Sequence, residues 1–109
     1  MQTDIEKARY LIDKALSLID HHLHKQADLL LTFVPTEAFL VFAQRLREYQ
    51  SVLQAESLPP RNRYKNEMSS EIINTWPYTF VGAGIVEAER AFLACLAKDD
   101  PDHSDEGKR

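Results

Sequence analysis

Asp20, His21, His22, His24 and Asp28 crowd into about two and a half helical turns and are the densest set of groups able to do chemistry. His24 stands four residues from both Asp20 and Asp28 and three from His21, so on a helix these four share a face. Imidazole and carboxylate at that spacing suit zinc, nickel or copper. Asp20, His21, His24 and Asp28 are therefore the candidate ligands of a divalent metal, the one cofactor the sequence suggests. The competing reading is a solvated polar face. A metal site normally recruits a ligand from a second helix, Glu37 is the only candidate near the start of the next one, and no HExxH pattern is present.

His22 falls instead on an apolar stripe. There it reads as a buried histidine hydrogen-bonded to a carbonyl or hydroxyl, or as a pH switch, because burial perturbs a group that already titrates near neutrality. Arg61-Asn62-Arg63-Tyr64-Lys65 places three cations around one aromatic beside a helix start. Such a group could hold a phosphate or a single strand of nucleic acid, or be an ordinary exposed loop. Trp76-Pro77-Tyr78-Thr79-Phe80 sets three aromatics around a helix break. They either plug the end of a bundle or form a recognition patch.

Several catalytic readings fail on their residues. Val81-Gly82-Ala83-Gly84 falls short of a dinucleotide fingerprint, because Glu87 stands where the third glycine would fall. No serine carries the elbow motif of acyl transfer. Cys95 lies on the apolar side of the last helix, where it reads as a small core residue rather than a nucleophile. Glu87 and Glu89, beside Arg90, read as solvent-facing charges.

The elements that must position these groups are all helical. Thr3 and Glu6 have capping-box spacing. From there Ile5, Ala8, Ile12, Ala15, Ile19 and His22 repeat every three or four residues, with Leu11 and Leu18 widening the stripe on one side and Leu16, Leu23 and Leu30 on the other. So broad an apolar arc needs more than one neighbour to cover it. The pattern runs to about Phe33, a rod of roughly 45 Å at 1.5 Å per residue. That is long for a chain whose compact radius of gyration would be near 13 Å. The sequence therefore predicts an elongated bundle, a break in the helix, or a second subunit over the excess.

Pro35-Thr36 interrupts the pattern and offers Thr36 as an N-cap. Phe39, Phe42, Leu46, Tyr49 and Leu53 then define a helix over about 36–56, which the short turn makes antiparallel to the first. Ser57-Leu58-Pro59-Pro60 stops it. A third helix is predicted from near Asn62 to Trp76, with Tyr64, Met68, Ile72 and Trp76 on one side. The last begins around Thr79 and carries Val81, Ile85, Ala88, Phe92 and Cys95, with a strip of Gly84, Ala88 and Ala91 that lets another helix approach closely.

The predicted fold is all-α: a four-helix bundle-like domain of two helical hairpins with a long first helix, occupying residues 1–98. Residues 99–109 are expected to be a disordered acidic tail.

Composition narrows the function classes. Seventeen acids against thirteen bases give a net charge of −4, which makes a general nucleic-acid binder unlikely on electrostatic grounds. One cysteine cannot form an internal disulfide, the N-terminus lacks a basic stretch leading into an apolar one, and no segment is apolar over the ~18 residues needed to span a bilayer. The expected setting is cytoplasmic. The function expected is a small non-catalytic helical interaction or regulatory module, either a homodimer or the binder of another protein, with Leu11, Leu18, Phe39 and Trp76 as candidate interface residues. The alternative is a bundle that binds a metal or small ligand, possibly as an enzyme.

Overall fold

The computed structural model describes residues 4–25, 29–55 and 58–96. Among them the chain forms α1 (Asp4–Lys25), a 3₁₀ turn at Leu29–Phe33, α2 (Thr36–Leu53), a second 3₁₀ turn at Arg61–Arg63, α3 (Glu67–Thr75) and α4 (Phe80–Cys95), with no strand. The helices pack as two hairpins, α1 with α2 and α3 with α4. The most extensive contact joins α1 to α4 across the two hairpins.

Small residues make that contact close. Ala8, Ala15 and Ala88 are fully buried, and Leu18 of α1 lies over Gly84, where a Cβ would come within 2.7 Å of the leucine Cδ1. The strip predicted along α4 is therefore the place where α1 docks. Cys95 ties the same pair at its far end, its thiol donating to the Asp4 carbonyl at 3.1 Å. Burial, and then the charge of Asp4, push that thiol above its ordinary pKa.

Most of the wide apolar arc of α1 is covered within the chain, whereas Ile5 at its start and Leu30 beyond its end stay exposed. Ile12, Ile19 and His22 are buried, and Leu11, Leu16, Leu18 and Leu23 pack half-buried against the common core. The predicted rod is also shorter than its pattern. Its α-helical part is 22 residues long, and by Leu29 the backbone has tightened into 3₁₀ geometry. The molecule is elongated, 46 × 34 × 23 Å.

Three local expectations are corrected. Thr36 is the first residue of α2, and Pro35 is its N-cap in extended conformation; proline fixes φ where the helix must begin and its carbonyl already accepts from Ala38 N–H. The third helix starts at Glu67 rather than near Asn62, because residues 61–63 close a 3₁₀ turn and Tyr64 leaves it extended. Glu89 is fully buried rather than solvent-facing. Thr3 of the expected capping box and the acidic tail lie outside the described residues.

Candidate functional site

The α3–α4 connection is shaped by Pro77. The residue before a proline is pushed out of the helical region, and Trp76 is extended at φ −90°, ψ 148°. This turns the indole inward. It lies 5.4 Å from the Phe42 ring and 5.2 Å from Phe39, which in turn lies 4.6 Å from His22. Thr79 then caps α4, its Oγ accepting from Gly82 N–H at 3.0 Å.

The three aromatics of this segment thus take opposite roles. Trp76 plugs the bundle end, whereas Tyr78 and Phe80 remain 84% and 80% exposed. Between α3 and α4 the same turn leaves a groove of about 400 Å³, walled by Ile72, Ile73, Trp76, Tyr78 and Val86. Its floor is low because Gly82 and Ala83 are small. A Cβ on Gly82 would stand 3.0 Å from Ile72 Cγ2 and 3.3 Å from Thr79 Oγ1. Ile73 on the rim is 62% exposed, and Glu87 and Arg90 bring one charge of each sign to the α4 wall. Such a lining offers apolar contact bounded by charge.

The other predicted positions divide. Asp20 and His24 do come together, with His24 Nδ1 2.9 Å from the Asp20 carbonyl oxygen and 3.3 Å from its Oδ1. Both are largely exposed, as is His21, and Asp28 lies outside the described residues. Among the described residues no group of three His, Cys, Asp or Glu side chains is placed to hold a metal ion. Of the candidate interface positions, Trp76, Leu11 and Leu18 are half-buried, and Phe39 is buried in the chain's own core, between His22 and Trp76, with no surface to offer. His22 is buried as expected, but its Nδ1 has no hydrogen-bond partner among the described residues.

Glu89 is the residue whose role was missed. Tyr49 Oη donates to Glu89 Oε2 at 2.8 Å, and the backbone N–H of Ser69 donates to Oε1 at 2.8 Å. Asn66, the N-cap of α3, makes no side-chain cap of its own. A carboxylate from α4 therefore caps α3, at the helix end where negative charge is favoured. A signal was present, because Glu89 stands four residues after Ile85 and three before Phe92 and so shares their buried face. Ser69 Oγ beside it is buried without a hydrogen-bond partner among the described residues. Tyr49 stacks on Phe92 at 3.9 Å. Burial, followed by the Glu89 charge and hydrogen bond, raises its phenol well above the ordinary value of 10.0, against a smaller opposing effect of Arg45.

Comparison with family models, with curated proteins and with solved structures found no match.

Proposed function

We propose that this chain is a non-catalytic helical interaction module that docks protein through the groove beside Trp76, and that it self-associates there. The supporting observation is the pair of outward-pointing apolar side chains on the groove's rim, Ile73 and Tyr78, with exposed Phe80 following in sequence. Large apolar groups that stand out around a concavity meet a partner's surface, and such patches mark interaction sites. A second copy suits the wall as well. Glu87 and Arg90 are three residues apart on α4, so under two-fold symmetry each can face the opposite charge of its mate.

The groove's volume of about 400 Å³ would also admit a small ligand. A ligand site, however, buries its apolar groups in the walls, whereas Ile73 and Tyr78 project from the rim. The breadth of α1 lends a partner less support, since α2 and α4 cover most of it.

Solution mass by light scattering across about a hundredfold range of concentration tests the reading, because self-association follows mass action. A dimer that dissociates on dilution, and becomes monomeric in Ile73→Asp, is the expected result. A parent chain that stays monomeric, or an Ile73→Asp dimer as tight as the parent's, overturns self-association through this groove.

A further inference from the structure

We propose that a second, cationic groove between the Arg61–Arg63 turn and α4 binds a small phosphate-bearing ligand of the oligophosphate type. Arg61, Lys65 and Asn66 from the segment ahead of α3 line it together with Arg90, and Tyr64 and Leu93 complete the walls. The groove is open, with a volume of about 720 Å³. Among the described residues no acidic side chain lines it.

The three cations are exposed, and none has an ion-pair partner among the described residues. Of the nearby acids, Glu67 binds Arg45 at 3.1 Å, and Glu87, three residues before Arg90 on α4, lines the other groove and makes no ion pair with that arginine. Glu89, further along the α3 end, is buried and already holds Tyr49 and Ser69. In a protein of net charge −4, three like charges are thus gathered around one concavity, and no acid among the described residues pairs with them. Their mutual repulsion is relieved by a bound anion. Guanidinium groups suit phosphate oxygens through paired donors, the lysine adds a point charge, and the Asn66 amide adds a neutral donor.

The neighbouring rings favour a small anion over a strand of nucleic acid. Tyr64 is half-buried and packs in T-shaped contact with Phe92 at 5.3 Å and with Tyr49 at 6.3 Å, which limits the ring area left for base stacking. Strand binding also needs a continuing track of positive charge, which the acidic balance of the chain does not provide.

Calorimetric titration of the whole chain with pyrophosphate and with tripolyphosphate, in low-salt buffer, tests this. One ligand per chain is expected, with tripolyphosphate bound more tightly than pyrophosphate. Arg61→Ala and Lys65→Ala each weaken binding about tenfold, the usual cost of a hydrogen bond to a charged group. Arg63→Ala, exposed but outside the groove, changes it less than about twofold if binding depends on contact rather than on diffuse charge. All three side chains are exposed, and a melting curve of each variant checks that the fold is kept. Absence of binding, equal weakening by Arg63→Ala, or tighter binding of an oligothymidylate than of tripolyphosphate at the same salt overturns the proposal.

Discussion

Glu89 and His22 are both buried polar side chains, and their surroundings give them opposite energetic signs. Glu89 receives two donors, one at the positive end of a helix, so removing the carboxylate leaves Tyr49 Oη and Ser69 N–H without acceptors. Each unsatisfied buried group costs about 1–3 kcal/mol, and Glu89→Ala should therefore lower stability by several kcal/mol in denaturant unfolding. Tyr49 makes the folded state sensitive to alkali. Its folded pKa lies above the unfolded value, so its contribution is complete below the ordinary 10.0 and is lost as pH rises from there toward the folded value. Unfolding curves collected from about pH 8 to about pH 11 should show stability falling in the parent chain and a flatter alkaline limb in Tyr49→Phe, since that range brackets an unperturbed phenol. A parallel decline in both would remove Tyr49 as the cause. At His22 the orphan Nδ1 belongs to a ring packed 4.6 Å from the Phe39 ring, beside a cavity of about 120 Å³ that Thr32 and Thr36 also line. Replacing an unpartnered polar group with an apolar one of similar shape removes a penalty, and His22→Phe is expected to raise the melting temperature. A fall would mean that Nδ1 has a partner, such as a bound water.

At the scale of elements, α3 depends most on its neighbours. Nine residues are too few for an isolated helix to persist in water. α3 is held by Met68 and Ile72 in the core and by the carboxylate that α4 lends to its first turn. The α1–α4 pair relies on closeness instead. With Leu18 Cδ1 already over Gly84, the branched side chain of Gly84→Val must displace that leucine or move the two helices apart. The expected loss is about 1–3 kcal/mol, the usual range for an overpacked contact. An unchanged unfolding midpoint would show that Leu18, which is only half-buried, swings aside freely.

At the scale of the whole molecule, the two grooves divide α4 between them, and Arg90 stands on the wall they share. One groove is mainly apolar with one charge of each sign on its α4 wall, the other cationic. Their tests are separable because Ile73 belongs only to the first, and Arg61 and Lys65 only to the second. Arg90→Ala is expected to affect both solution mass and oligophosphate binding. Among the described residues no helix is long and apolar enough to cross a membrane.

What the sequence determined by itself was local. The four-three periods placed Ala8, Ile12, Ala15 and Ile19 on one face and Phe39, Phe42, Leu46 and Tyr49 on another, and prolines 35 and 77 marked the start of α2 and the end of α3. The small strip on α4 correctly announced a close helix contact. These features depend on residues three or four apart, whose relation a helix sets directly. What only the tertiary structure decided depends on which helix meets which. Glu89 could be recognised as a core residue by its register, but not as the cap of α3, because its donors lie 20 and 40 residues away. Arg90 joined Arg61 and Lys65 only when α4 came alongside the second 3₁₀ turn. Tyr78 and Trp76, two residues apart and alike in type, parted between solvent and core because the chain turns at Pro77, and a turn's direction is set by what packs on either side of it.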